Sequence, residues 1–216
     1  MKKYNHWVFD LDGTILDSSS FYESFIQLIF SEFGLKVSQA ELDLAYKYFN
    51  PEEYFAQFLS DPRDVKRAVD RLLQLNEENA DQVPAFAGIE ELLGYLQNRN
   101  VHLSAWTGRE LKSARLILEH LRLSKYFHLC VGRTCIPRNK PYPDGLLKIL
   151  NEFRHHHDDV LMIGDHEYDM KGARAAKVAG VSVSWDAKAL VTARELSDFH
   201  FDRVSDMHSW AVKMYG

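Results

Sequence analysis

The chain has 216 residues, of which 46% are hydrophobic and 26% charged, proportions ordinary for a water-soluble globular protein. Its net charge of −5 argues against broad electrostatic attraction to nucleic acid or to an anionic membrane. Asp10 interrupts the first apolar run, and no stretch approaches the roughly 18 apolar residues of a membrane span. Cys130 and Cys135 lack the spacing of a metal-binding pair. We therefore expect a cytoplasmic protein with reduced cysteines and with neither nucleic-acid nor membrane partners.

Five short apolar runs predict buried parallel strands, because such strands carry continuous apolar stretches. The runs cover residues 7–9, 101–106, 128–131, 160–163 and 181–185. Helical patterns separate the last four runs, and Leu146, Leu147 and Leu150 share one such face. This alternation of strands and helices predicts an α/β fold with a doubly wound parallel sheet, that is, a Rossmann-like core.

The segment from residue 17 to residue 84 is much longer than a strand crossover requires. It predicts four helices, the first with Phe21, Phe25, Leu28 and Ile29 on one face. The second begins at a capping box over residues 38–41, and the others begin at the Asn-Pro and Asp-Pro pairs of residues 50–51 and 61–62. We expect a helical cap of residues 17–84 inserted into a core of residues 1–16 and 85–216.

Paired carboxylates follow two of the predicted strands. Asp10 and Asp12 come directly after the first strand, and residues two apart in an extended segment point the same way. Asp165 and Asp169 follow the fourth strand. Ligands bind at the carboxyl ends of strands in open α/β sheets, and carboxylate oxygens suit Mg²⁺. Taken singly, each pair also fits a structural role, in a turn at Gly13 or in a helix cap.

Two further motifs supply groups that bind anions. Thr107 and Gly108 follow the second strand at a predicted helix start, where backbone N–H groups point at an anion. Lys140 precedes Pro141 and Pro143, so a stiff loop holds it. Taken singly, a threonine here is most often a helix cap, and a lysine in a turn is most often a surface residue. The conjunction is much stronger, because all four motifs lie at strand ends of one predicted sheet.

With these motifs, the sequence resembles the haloacid dehalogenase-like hydrolases, and within them the subgroup similar to phosphoglycolate phosphatase. The matching patterns are D-x-D-G-T-x-x-D-S at residues 10–18, the threonine at residue 107, K-P-x-P-D at residues 140–144 and G-D-x-x-x-D at residues 164–169. The resemblance covers nearly the whole chain, including the helical cap between the first and second motifs. It implies a hydrolase that acts on a small-molecule phosphate ester with Mg²⁺ as cofactor.

The resemblance also implies a role for each motif residue. Asp10 would be the nucleophile and Asp12 the general acid–base that protonates the leaving oxygen and later activates water. Since halide departure needs no proton, the second aspartate argues against a dehalogenase. The predicted contacts to the substrate phosphate are Leu11, Asp12, Thr107, Gly108 and Lys140, with Thr107 and Lys140 also counted as catalytic. The predicted metal ligands are Asp10, Asp12 through its backbone carbonyl, Asp165 and Asp169, the last either direct or orienting Asp165.

Specificity would then lie with the cap and the mouth of the site, where Ser18, Tyr22 and Arg109 are candidates. Arg109 fits equally a surface position, and the run of histidines at residues 155–157 fits a solvated loop better than a metal site. Two alternatives to a phosphatase remain at this point. A phosphomutase of the same superfamily would use the same four motifs. A non-catalytic binding protein is a different class, against which the intact set of acidic residues and Lys140 argues.

Overall fold

A computed structural model of the protein describes residues 2–46, 48, 50–185 and 191–216, and only the backbone of residue 191. Within these residues, six parallel strands form one sheet in the order β3-β2-β1-β4-β5-β6. The strands are β1 (His6–Phe9), β2 (His102–Trp106), β3 (Leu129–Val131), β4 (Val160–Gly164), β5 (Ala179–Val183) and β6 (Phe199–Phe201). The strand order reverses at β1, which makes the sheet doubly wound, as predicted. The sequence prediction missed β6, a three-residue strand with no buried residue.

In the described part of the chain, the helices that accompany these strands are α5 (Ile89–Gln97), α6 (Leu111–His120), α7 (Asp144–Phe153), α8 (Glu167–Ala175), α9 (Val191–Leu196) and α10 (Val204–Tyr215). The central strands are buried on both faces, as their continuous apolar runs predict. On α7, Leu146 and Ile149 are buried, whereas Leu147 is 48% exposed. The prediction for Leu147 was wrong, because adjacent helical residues point about 100° apart and α7 buries its Leu146 side.

The structure divides into two compact units, one from the residues up to 17 and from 84 onward, the other from residues 18–83. The boundaries expected for the cap, residues 17 and 84, lie one residue outside the second unit. Within the first unit, the segments that lead out to the second unit and back pair with each other. Leu16 forms an antiparallel bridge with Ala85, and the Asp17 N–H donates to the Pro84 carbonyl at 2.9 Å. These bonds bring the two ends of the insertion together.

The second unit contains α1 (Ser19–Glu32), α2 (Gln39–Ala45), α3 (Pro51–Phe55) and α4 (Pro62–Glu78). The capping box at Ser38 and the proline starts of α3 and α4 are present, as predicted. Phe30 lies at the centre of the aromatic core, with Tyr54 and Phe55 centroids 6.1 and 5.7 Å from its own. Leu28, predicted on the buried face of α1, is 42% exposed, because that helix instead buries Phe25, Ile26, Ile29 and Phe30. In the described part of the chain, no helix has the length and apolar character to cross a bilayer.

Four histidines form a cluster at the amino ends of β1, β2 and β3, and the sequence offered no sign of it. They are His6, His102, His128 and His155. His6 Nδ1 lies 3.3 Å from His155 Nδ1, and His6 Nε2 lies 2.8 Å from Ser104 Oγ. The His102 ring centroid lies 5.1 Å from that of His155 and 5.0 Å from that of His128. Burial first, then the neighbouring His155, His102 and His128 rings, lowers the pKa of His6 to about 3. The folded protein therefore keeps His6 neutral.

We expect this histidine to weaken the fold in mild acid. The pKa of His6 is below its unfolded value of 6.5, so its contribution is complete above pH 6.5 and is lost as the pH falls toward 3. Between pH 7.5 and pH 5, the free energy of unfolding should fall by about 2 kcal/mol on this account. Urea unfolding at both pH values measures it. His6→Gln should lose that part of the pH dependence, and the exposed control His120→Gln should keep it. Equal pH dependence in all three proteins would contradict the assignment.

Candidate active site

The loop after β1 places Asp10 at the carboxyl end of the sheet. The Asp10 N–H donates to the Ile163 carbonyl of β4 at 2.8 Å, so the strand ladder extends one residue beyond Phe9. Gly13 has φ of +73°, and a Cβ there would lie 2.3 Å from Asp165 Oδ2. Only glycine allows the loop to turn this close to a carboxylate from another strand.

Three carboxylates from two strand ends form one group. Oxygen atoms of Asp10, Asp165 and Asp169 all lie within 4.8 Å of one another. The Thr14 hydroxyl donates to Asp165 Oδ1 at 3.2 Å. Asp169 Oδ2 accepts the His166 N–H at 3.1 Å and thereby caps α8. Asp169 therefore combines the helix-cap role with a position in the carboxylate group, two roles that the sequence could not separate.

Lys140 supplies positive charge inside this acidic group. Its Nζ lies 2.5 Å from Asp10 Oδ1 and 2.6 Å from Asp169 Oδ1, and its side chain is 1% exposed. Nζ also lies 4.9 Å from the centroid of the Trp106 ring. That ring packs against Gly145, where a Cβ would lie 2.1 Å from its Nε1. Trp106, the last residue of a predicted buried strand, thus packs against one side of the lysine.

Burial controls the ionisation of the group. Burial is the largest cause that raises the pKa of Asp10, to about 7, with Lys140 opposing it and Asp169 and Asp12 adding to it. Burial, then Asp10 and Asp169, raises the pKa of Asp165 well above its ordinary value. Burial alone would lower the pKa of Lys140, but its two carboxylate partners outweigh burial and raise it. When all three carboxyl groups are ionised, one ammonium leaves an excess of negative charge, which a divalent cation would neutralise.

Asp12 lies in the loop after β1, two residues from Asp10, and Thr107 lies at the end of the neighbouring strand, β2. Thr107 follows β2, is 1% exposed, and donates its N–H to the Val131 carbonyl at 3.0 Å. Arg109 Nε and Nη2 donate to both Asp12 oxygens at 2.6 to 2.9 Å. The Arg109 side chain is 11% exposed, so its alternative assignment to the protein surface was wrong.

Three further predicted site residues, Leu11, Ser18 and Tyr22, lie in different parts of the structure. Leu11 is fully buried, and its carbonyl accepts the N–H groups of the turn that follows. Ser18 and Tyr22 belong to the second unit, where Ser18 is buried and the Tyr22 ring lies 6.0 Å from that of Tyr46. Their role in specificity stays a prediction.

Two contacts near the site were not anticipated. The first is the hydrogen bond from the Thr14 hydroxyl to Asp165. Thr14 belongs to the first motif, but no role was predicted for it. Trp185 Nε1 donates to the Thr14 carbonyl at 3.1 Å, and its ring lies 6.2 Å from that of Phe86. The motif position of Thr14 was a usable signal for the first contact. The sequence offered no signal for the Trp185 contact, because Trp185 is the last residue of an apolar run, a position typical of core residues.

The histidine run differs from its sequence interpretation in one respect. Ligand atoms of His156, His157 and Asp158 do lie within 4.8 Å of one another, although adjacent residues were expected to point apart. A 3₁₀ turn over His157–Asp159 brings them together. His156 and Asp158 are each 63% exposed in their side chains, and His156 Nδ1 accepts the Asp158 N–H at 3.4 Å. This is the solvated loop that the sequence favoured.

Comparison with known proteins decides the family. Residues 7–183 match the family model of haloacid dehalogenase-like hydrolases. The chain belongs to this family. Family membership, together with relatives named as phosphatase and pyrophosphatase, makes the chain a hydrolase that acts on phosphate esters, and it supports a divalent metal cofactor.

Individual haloacid dehalogenase-like relatives resemble the chain over most of its length. Pyrophosphatase PpaX from Oceanobacillus iheyensis is 26% identical over 198 residues, covering 91% of this chain and 90% of the relative. Phosphoglycolate phosphatase from Pseudomonas syringae pv. tomato is 24% identical, covering 82% and 68%. A haloacid dehalogenase-like hydrolase structure from Streptococcus pneumoniae covers 98% of this chain and all of its own, with a TM-score of 0.86 at 21% identity. That structural likeness shows the shared fold.

Proposed function

We propose that the protein is a Mg²⁺-dependent phosphatase that hydrolyses a small-molecule phosphomonoester through an aspartyl-phosphate on Asp10. The observation that carries the proposal is Lys140, buried between the Asp10 and Asp169 carboxylates at 2.5 and 2.6 Å. A buried ammonium on the nucleophile lets an anionic substrate approach an anionic carboxylate. The relatives named as pyrophosphatase and phosphoglycolate phosphatase support a small phosphate compound as substrate.

In the first step an Asp10 carboxylate oxygen attacks phosphorus, and the bond from phosphorus to the leaving oxygen breaks. Asp12 donates its proton to that leaving oxygen, so the alcohol departs neutral at that atom. In the second step water attacks phosphorus and gives a proton to Asp12, and the bond between phosphorus and the Asp10 oxygen breaks. Asp10 and Asp12 thus return to their starting states and inorganic phosphate leaves.

The phosphate oxygens need donors on the other side of the site. We assign these contacts to Thr107 and Gly108, to the loop at Leu11 and Asp12, and to Lys140. Thr107 is suited because its backbone is held by β3 and its hydroxyl lies at the carboxyl end of β2. This arrangement provides preorganised donors where charge develops during transfer.

The carboxylate group fits a hard divalent cation by its donor chemistry. Asp10 and Asp165 would hold Mg²⁺, with the Asp12 backbone carbonyl and Asp169 as the further predicted ligands. Asp169 already forms an ion pair with Lys140 and accepts the His166 N–H, so it would also orient both neighbours. When bound, Mg²⁺ supplies positive charge that favours ionised Asp10 and stabilises the phosphoryl group in the transition state.

We expect phosphate release to depend on Mg²⁺. Turnover of p-nitrophenyl phosphate, phosphoglycolate and pyrophosphate should fall at least about 100-fold in EDTA and return when Mg²⁺ is added in excess. Circular dichroism in both buffers controls for loss of fold. Stoichiometric inorganic phosphate identifies hydrolysis, whereas an isomeric phosphate ester without free phosphate identifies the mutase alternative. Full activity in EDTA, or no turnover of any phosphate compound, would contradict the proposal.

A further inference from the structure

Arg109 is bound to the residue with the proposed acid–base role. Its Nε lies 2.9 Å from Asp12 Oδ1 and 2.7 Å from Oδ2, and its Nη2 lies 2.6 Å from Oδ1. Its backbone N–H donates to Thr107 Oγ1 at 3.1 Å, and its Nη1 lies 3.4 Å from Ser113 Oγ. The guanidinium is therefore anchored to the strand end that we assign to phosphate binding.

The position of Asp12 locates Arg109 relative to the substrate. Because Asp12 donates a proton to the leaving oxygen, that oxygen lies within a hydrogen bond of the Asp12 carboxyl, about 3 Å away. A guanidinium that contacts the same carboxyl then lies within about 6 Å of the leaving oxygen. Lys140 contacts Asp10 and Asp169, on the nucleophile side. The two cations thus serve opposite ends of the bond that breaks.

The charges of the site suit Arg109 to contact a charged leaving group as well as Asp12. Four carboxylates, Asp10, Asp12, Asp165 and Asp169, face Lys140 and Arg109. On the side of the leaving group, next to Asp12, Arg109 is the cation that a leaving group with its own negative charge would meet. The planar fork of arginine binds carboxylates and phosphates in two-bond geometry, which Asp12 now occupies.

We propose that Arg109 selects substrates whose leaving group is anionic, such as a carboxylate or second phosphate close to the scissile bond. This inference rests on the proposed phosphatase function. An anionic leaving group shares or takes over the guanidinium from Asp12 and gains a charged contact. A neutral leaving group offers the guanidinium no charged partner and gains no such contact.

The test compares two esters of similar size, 2-phosphoglycolate and 2-hydroxyethyl phosphate, which release an anionic and a neutral alcohol. The kcat/KM ratio of the two is measured in wild type, Arg109→Gln, Arg109→Lys and the control Arg115→Gln, an exposed arginine on α6. Wild type and Arg115→Gln should prefer the anionic leaving group. Arg109→Gln should lower kcat/KM for phosphoglycolate about 10- to 100-fold more than for hydroxyethyl phosphate. Arg109→Lys, which keeps the charge without the fork, should retain part of the preference.

The outcomes separate the two proposals. Wild-type release of phosphate from either ester, dependent on Mg²⁺, supports the phosphatase function whatever the ratio. Equal losses for both esters in Arg109→Gln would show that Arg109 acts only through Asp12, which overturns the selectivity. The absence of a preference in wild type would overturn the selectivity as well. Should Arg109→Gln fail to fold by circular dichroism, the ratio in Arg109→Lys decides alone: an unchanged preference overturns the role of the fork. A wild type that hydrolyses neither ester, nor p-nitrophenyl phosphate, overturns both proposals.

Discussion

Asp10→Asn is expected to reduce phosphate release by roughly 10⁴-fold or more while leaving a folded protein. The amide has the shape of the carboxylate but lacks the anionic oxygen that attacks phosphorus. In this variant the buried Lys140 ammonium retains its ion pair with Asp169 Oδ1, which lies 2.6 Å away. Steady-state turnover of phosphoglycolate and p-nitrophenyl phosphate with Mg²⁺ measures the loss.

A covalent readout makes the Asp10 experiment specific to the nucleophile. After acid quenching, wild-type protein incubated with radiolabelled substrate should retain label, and Asp10→Asn should not. Asp81→Asn, an exposed aspartate of the second unit, is the matched control and should behave as wild type in both assays. Residual turnover within tenfold of wild type, or label retained by Asp10→Asn, would remove Asp10 from the nucleophilic role.

Lys140→Met is expected to lower the free energy of unfolding by about 3–5 kcal/mol, the usual cost of removing one partner of a buried ion pair. The substitution leaves the Asp10 and Asp169 carboxylates buried without the ammonium now 2.5 and 2.6 Å away. Urea unfolding at pH 7.5 in EDTA, followed by tryptophan fluorescence, measures the change. The same variant should lose phosphate turnover, because two anions then meet without neutralisation.

A double variant shows whether this loss comes from unpaired charge. Lys140→Met with Asp10→Asn removes one of the two stranded carboxylates and should recover part of the stability. Lys125→Met is the control, since Lys125 pairs with Glu90 at 3.0 Å on the exposed surface and its removal should give no measurable change. If Lys140→Met and Lys125→Met unfold at the same urea concentration, the buried pair does not stabilise the fold.

The catalytic motifs were predictable because each is local. Asp10 follows an apolar run, Gly13 must turn the chain, and Lys140 precedes prolines, so residue order alone indicated strand ends and loops. Parallel strands place their carboxyl ends at one edge, and this general rule predicted that Asp10, Lys140 and Asp165 would meet. The sequence also predicted that Trp106 lies in the core, and the structure places its ring beneath Lys140.

Pairings between side chains on different strands were not predictable in the same way. Arg109 is 97 residues from Asp12, and nothing in its immediate neighbours distinguishes a surface arginine from one aimed at a carboxylate. The histidine cluster has the same origin, because His6 and His102 become neighbours only through the parallel register of β1 and β2. Pairwise geometry of this kind depends on strand register and loop conformation, which are collective properties of the packed sheet.

By itself, the sequence determined the α/β class, the helical insertion and the four motifs, because apolar periodicity, helix caps and turn residues act over a few neighbouring positions. The tertiary structure alone decided the ionic partners. In the folded protein, Lys140 lies between Asp10 and Asp169, and Asp12 forms an ion pair with Arg109. Burial raises the pKa of Asp10 to about 7. Burial and charge–charge distances do not exist in the extended chain. They arise when strands from distant parts of the sequence pack side by side and exclude water.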